Sequence, residues 1–329
     1  MARHAGTSVR RRHGGRLMLS RTAESVFWLA RYMERMDYMA RLLEVSQRMA
    51  ALTLESQQTE WESALIAAGV DHAFGNRHGA VSAEAAIDYL ARDPDNPSSI
   101  LTCLNTARAN ARAVRTALTS DTWEAINTAW LEARAFGDDD FRPDRLATTL
   151  DWVKRASLHF NGAYTNTMLR SDAYFFTRLG TFVERADNTA RLVDVKYHVL
   201  LPQHEQVGGL VDYHQWAALL HSVSAQRAYH WIYAGRVEPW RVAELLILHP
   251  EMPRSLRSCY DQIITYLDAL AQQYHGRQGE CHRLVGELHA RLKYGRIEAV
   301  FRHGLHEFLT EYIDLTAKVG DEIAALYFA

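Results

Sequence analysis

Proline and glycine are scarce: the 329 residues contain 7 Pro and 18 Gly. So few chain breakers exclude an architecture of many short strands joined by turns, and they leave room for long helices. Cysteine is scarcer still, with three in all, Cys103, Cys259 and Cys281. A small odd number excludes a disulfide framework and predicts a reducing, cytoplasmic setting. No apolar run approaches the roughly 18 residues needed to span a bilayer, since even AELLILH is broken by Glu244. G-x-x-x-x-G-K-[ST], G-x-G-x-x-G, G-x-S-x-G and C-x-x-C are all missing, so no phosphate loop, hydrolase elbow or redox pair is announced. The expectation is no cofactor, with any nucleotide chemistry left to a partner.

Acidic side chains are missing from residues 1–17, MARHAGTSVRRRHGGRL, which hold five Arg. That stretch has no apolar core of a signal peptide and reads as a disordered basic leader. Setting those five aside, the rest holds 32 basic against 39 acidic side chains, which gives no reason to expect nucleic-acid binding. A composition of 48% hydrophobic and 23% charged residues is that of a globular protein.

What is present is a repeat. MERMDYMARLLEV (33–45) returns as VERADNTARLVDV (183–195), and over 28–45 against 178–195 eight of eighteen positions are identical, where chance gives about one. PDNPSSILTCL (94–104) then matches PEMPRSLRSCY (250–260) at both prolines, the serine and the cysteine. Ile100, Leu104, Ala107 and Ala111 step at alternating intervals of four and three, as do Leu256, Tyr260, Ile263 and Leu267. Both runs are therefore expected to be helices with one apolar stripe, with Pro97 and Pro253 at N1 behind an N-cap. Helices are also expected over 20–49, 120–136, 144–169, 172–200, 211–234, 238–248, 278–293 and 296–327. The predicted fold is all-α. It is a single composite domain over 18–329, with repeat halves of about 19–170 and 171–329 packed as a helical bundle about a pseudo-twofold axis.

On a helical wheel Glu34, Asp37, Arg41 and Glu44 share one arc, with Trp28, Leu29, Met33 and Met36 opposite. The second copy repeats these charges as Glu184, Asp187, Arg191 and Asp194, although neighbouring positions have drifted, as at Tyr38 and Asn188. Three readings stay open: a solvated salt ladder, a partly buried ion-pair network between the halves, or a site whose Arg forks hold an anion. Arg35 and Arg185, at the border of the apolar side, are placed to snorkel towards an inter-helix seam.

LSRTAESVFWLARYMERMDYMARLLEV (19–45) and TMLRSDAYFFTRLGTFVERADNTARLVDV (167–195) resemble the Alpha-E family, bacterial helical proteins named for a Glu-Arg motif. NPSSILTCLNTARANARAVR (96–115), HPEMPRSLRSC (249–259) and GLHEFL (304–309) extend the resemblance over nearly everything after Met18. It implies an ATP-grasp-type protein as partner and a role in ATP-dependent amide-bond formation or peptide modification. The Glu-Arg pair falls on Glu34-Arg35 and Glu184-Arg185, and the second copy, with Ala186 and Asn188, keeps the pattern better than the first.

The remaining candidates are fewer. His303, His306 and Glu307 have a ligand-like spacing on one expected helix, but the paired Glu-x-x-His motifs of a di-iron bundle are absent, so no metal is expected. His306 and Glu307 are expected instead to anchor the last helix or join the seam. A polar run from His159 to Asp172 suggests a water-lined groove, with Arg170 as an anion clamp beside Glu184 and Arg185. The leading expectation is a non-catalytic partner or scaffold with no membrane span. The alternative is an enzyme or binding protein for a small anionic, peptide-like or amino-acid-like ligand at the seam. In that case Glu184 would be acid or base, and Arg170, Arg185 or Arg191 would hold the anion. Guanidiniums beside a carboxylate lower its pKa, which counts against the enzyme.

Overall fold

A computed structural model describes residues 18–52, 57–198 and 209–329. The expected leader, 1–17, lies outside these residues. Fifteen α-helices and no strand occur among them. In chain order they are α1 (Ser20–Ala50), α2 (Gln57–Ala68), α3 (Asp71–His78), α4 (Ala83–Ala91), α5 (Ile100–Ala113), α6 (Ser120–Ala133), α7 (Leu146–Thr167) and α8 (Asp172–His198). Then follow α9 (Leu210–Ser222), α10 (Gln226–Tyr233), α11 (Pro239–Ile247), α12 (Leu256–Gln273), α13 (Glu280–Tyr294), α14 (Ile297–His303) and α15 (Leu305–Tyr327). The all-α expectation is met.

Two long helices form the axis of the molecule. α1 runs 31 residues without a Gly or Pro, and it packs against α8 along most of its length. Met18 N–H donates to Asp172, Arg31 pairs with Glu184, and Asn188 donates to the Glu34 carbonyl. Partner numbers rise together, so the two helices run side by side in the same direction. Gly180 permits the approach, because a Cβ there would collide with the carbonyl of Phe27. α5 and α7 cover α1, while α12 and α15 cover α8; α6 lies against α5 and α7, and α13 against α12 and α15.

The entries to α5 and α12 are built alike. Ser99 and Ser255 are the N-caps, accepting from Thr102 N–H and Ser258 N–H. Each hydroxyl also donates back to a carbonyl six residues earlier, Ser99 to Asp93 (2.9 Å) and Ser255 to His249 (2.6 Å). The expected N1 role of Pro97 and Pro253 is thereby corrected: each proline precedes its helix in the turn, and the serine caps. Asn96 serves the turn instead, donating to Tyr89 O and accepting from Ser98 N–H.

Two other boundaries differ from expectation. The run 211–234 divides into α9 and α10 at Ser224, whose φ is 58°. The run 296–327 divides into α14 and α15 at Gly304, with φ 104°. Helices α2 to α4 were not anticipated. They lie over α1, α8 and α5 and bury Trp61, Leu65, Phe74, Ile87 and Leu90.

Candidate functional site: the Glu-Arg seam

The charged arc of α1 does not face water. Nineteen residues of α1 are buried, Glu34, Asp37 and Arg41 among them, so the helix is enclosed nearly all round. Glu34 and Glu184 are each 1% exposed. Such burial of a carboxylate is tolerable only with compensating charge and hydrogen bonds, and both come from across the seam.

The pairing is reciprocal. Arg185 grips Glu34 through two bonds, Nε to Oε1 and Nη2 to Oε2, both 2.8 Å. Arg35 grips Glu184 in the same two-pronged way, at 2.6 and 3.1 Å. Each Glu of one helix is thus held by the Arg of the other helix's Glu-Arg pair, the fork geometry in which a guanidinium matches a carboxylate best. Arg185 also lies over Phe182, and Arg35 over Tyr32.

Each carboxylate has a second guanidinium as well. Arg254, in the turn before α12, donates to Glu34 (3.0 Å) and to Asp37 (2.6 Å). Arg41 closes on Asp37 from one turn along α1 (2.7 Å) and reaches the Ser222 carbonyl on α9. At the other Glu, Arg31 donates to Glu184 (2.7 Å) while stacked on Trp28. Asp187 and Arg191 pair with each other on α8 (2.7 Å) at a more exposed position. Arg31 and Arg254 were missed from sequence. Both stand where only one copy carries a cation, Thr181 answering Arg31 and Ser98 answering Arg254, so the repeat gave no signal for them.

These contacts fix the protonation states. Burial pushes the Glu34 carboxyl up, but the charges of Arg185 and Arg254 more than reverse this and hold it at about 2. At Glu184 burial is again opposed, by Arg35 and Arg31, and the carboxyl lies below its ordinary value. Burial disfavours the Arg185 cation, yet Glu34 outweighs it and raises its pKa. Arg254 is lowered by burial, with Arg41 and Arg185 adding to that and Asp37 and Glu34 opposing it. Cys103 and Cys259 lie behind the forks, and burial pushes both thiols up to about 12. Neither is a nucleophile at neutral pH.

The other expected site residues fall elsewhere. Asn188 reaches the Glu34 carbonyl at 3.5 Å, whereas Tyr38, its counterpart, donates to Ala67 O on α2. His306 Nδ1 lies 2.8 Å from Asp194 Oδ1 and ties the start of α15 to α8, but the exposed Glu307 folds over Gly304 instead. The break at Gly304 also separates His303 from His306, contrary to a shared helix. Among the described residues no group of three metal-binding side chains occurs. Arg170 is exposed, donates to Thr165 O and stacks on Tyr174 at 3.9 Å, so it is not brought to Glu184 or Arg185. In the run before it Tyr164 is buried and donates to Ala173 O, while His159, Asn166 and Thr167 are exposed.

Residues 18–328 match the family described as a predicted alpha-helical domain with a conserved ER motif. The chain belongs to the Alpha-E family. In this Alpha-E chain the Glu-Arg pairs are Glu34-Arg35 and Glu184-Arg185, the four residues that cross-link α1 and α8. No curated protein and no solved structure matches the chain. Among the described residues no helix is long and apolar enough to cross a membrane.

Proposed function

We propose that this Alpha-E chain is a non-catalytic partner or scaffold, and that the protein it serves is an ATP-grasp-type ligase working on amide bonds in a reducing compartment. The observation that supports a non-catalytic reading is the closure of the seam. Glu34 and Glu184 are buried, each is saturated by two guanidiniums, and both are held ionised well below neutrality. A general acid or base needs a pKa near the working pH and access to substrate, and these two carboxylates have neither. The ATP-grasp partner follows from the family resemblance alone.

We also infer that the halves descend from one duplicated unit related by a pseudo-twofold axis. The reciprocal forks and the like-built serine caps support this reading.

The test is co-purification of the tagged chain from lysate of its native cells, with mild crosslinking. An ATP-grasp protein should be recovered in stoichiometric amount. Repeated absence of any such protein overturns the reading, as does turnover of a peptide-like substrate by the isolated chain that is abolished in a folded Glu184→Gln variant.

A further inference from the structure

Two arginines at the start of α8 are answered by no acid. Arg170, in the turn before the helix, lays its guanidinium on the Tyr174 ring at 3.9 Å and donates to Thr165 O. Arg178 stands one turn after Tyr174 and one turn before Phe182, so the three share a face of α8. Its guanidinium lies over Phe182 at 4.7 Å. Tyr266 of α12 completes the wall, with its ring 6.2 Å from that of Tyr174 and 6.0 Å from that of Phe182. Burial raises the pKa of the Tyr174 hydroxyl and Tyr266 adds to this, while Arg178 and Arg170 both oppose it. The two guanidiniums therefore act on one hydroxyl.

Arg178 is the anomaly of the pair. It is half-buried, yet among the described residues it has neither an ion pair nor a hydrogen bond. Its Nε is sealed from solvent without an acceptor, whereas the other two nitrogens reach the surface. A guanidinium offers five N–H donors, and sealing one of them unpaired costs free energy that a ring contact offsets only in part. Stacking on Phe182 accounts for where the stem lies and leaves all five donors unused.

The surrounding charges do not balance the pair. Asp172, two residues after Arg170, gives its oxygens to Met18 N–H and Ala173 N–H. Asp268, two residues beyond Tyr266, is on the opposite face of α12, where it lines a cavity against α13. Arg185, which also lies over Phe182, belongs to a network that already holds three guanidiniums, its own with Arg254 and Arg41, against the carboxylates of Glu34 and Asp37. Nor is the feature part of the shared scaffold, because Ser20 and Trp28 stand in the first half where the second has Arg170 and Arg178.

We propose that Arg170 and Arg178 bind the phosphate group of a small molecule beside Tyr174. The charge of two guanidiniums is balanced by one phosphate dianion. A tetrahedral oxyanion also offers oxygens to donors that come from two places in the chain, where a planar carboxylate is matched by a single fork. The site borders the seam but takes none of its residues, and it does not depend on the partner reading.

The experiment titrates the full chain with inorganic phosphate at fixed ionic strength, following the arginine Nε–H signals by NMR and the thermal midpoint. The sealed Nε–H of Arg178 exchanges slowly with water, so its signal, identified by its loss in Arg178→Gln, reports on the site. The expected result is a saturable shift of that signal with a rising midpoint. Phosphate should raise the midpoint with about tenfold weaker affinity in Arg178→Gln and in Arg170→Gln, and with unchanged affinity in Arg302→Gln, which removes an exposed guanidinium on α14. Arg170 is exposed, so its variant keeps the fold, which circular dichroism checks for both. A shift that climbs without saturating, full affinity in either site variant, an equal loss in Arg302→Gln, or saturation by acetate at the same concentrations overturns the proposal. Binding seen only on vesicles containing phosphatidic acid overturns it as well, and would make this surface a lipid contact.

Discussion

Glu34 and Glu184 occupy matching places and satisfy the same physical demand by different means. Both take a fork from the opposite helix. The second cation comes to Glu34 from Arg254, ahead of α12, and to Glu184 from Arg31, four and seven residues away from Arg35 and Tyr38 on α1 itself. Because Arg254 also reaches Asp37, and Arg41 closes on Asp37, the Glu34 side is one connected network of five charged groups. On the Glu184 side Asp187 and Arg191 form a separate pair nearer the surface. The difference teaches that the seam requires two guanidiniums per buried carboxylate, but not from one particular place in the chain.

The largest effect should come from breaking the connected side. Arg185→Ala leaves Glu34 buried with Arg254 alone and should cost about 3–5 kcal/mol in urea or thermal unfolding. Arg35 is more exposed than Arg185, with 21% of its side chain open against 13%, so water can partly replace it, and Arg35→Ala should cost about 1–3 kcal/mol. Equal losses would mean that connection adds nothing. Acid gives the matching test. The Glu34 carboxyl falls from its ordinary 4.5 to about 2 on folding. Its contribution is therefore fully present above pH 4.5 and is lost as pH falls through about 2. Glu34→Gln should flatten the stability profile within that window and nowhere else.

A third buried carboxylate sharpens the contrast by lacking a fork. Glu60 on α2 is 1% exposed, and its Oε2 accepts no hydrogen bond. Burial pushes its pKa up to about 7, only partly opposed by Lys196, which is itself paired with Asp212. The sign is opposite to that of Glu34: folding favours the protonated form, so stability is greatest below pH 4.5 and declines as pH rises through about 7. Glu60→Gln should remove that decline and stabilise the protein at pH 8 by about 1–3 kcal/mol. A variant that is less stable than the parent at pH 8 would show that the Glu60 anion is held by something other than Lys196.

Much of this arrangement was legible, and the parts that were not share a cause. The absence of breakers and the period of the apolar stripes gave long helices, and ions kept through drift at Met36/Ala186 and Tyr38/Asn188 marked Glu34, Arg35, Glu184 and Arg185. Reciprocity itself was invisible, since a wheel drawn for one helix assigns Asp37 to Arg41 and cannot show which Arg crosses to Glu34. Arg254 and Arg31 escaped because each reaches its carboxylate in only one half. Arg170 is near α8 in sequence but does not reach Glu184, because its guanidinium stacks on Tyr174 in the first turn of α8. Helices α2 to α4 are short, at 12, 8 and 9 residues, so packing makes them helical: α2 and α4 lie on α1, and α3 lies on α2.

The smallest expected effect is the most direct measure of connection. In a double-mutant cycle of Arg185→Ala with Arg41→Ala, the two guanidiniums share no carboxylate but are joined through Glu34, Arg254 and Asp37. Removing Arg185 frees Arg254 to settle on Glu34, which withdraws it from Asp37 and makes Arg41 matter more. The coupling should therefore lie between about 0.5 and 2 kcal/mol. The matching cycle on the other side, Arg35→Ala with Arg191→Ala, has no Arg254 to carry the change, because Ser98 stands at that place. Its coupling should fall below about 0.5 kcal/mol. Placing Arg at that position, Ser98→Arg, should raise the second coupling towards the first if an arginine before α5 can reach Asp187 as Arg254 reaches Asp37. A coupling unchanged by Ser98→Arg would assign the difference between the two sides to the exposure of Asp187 rather than to the missing cation.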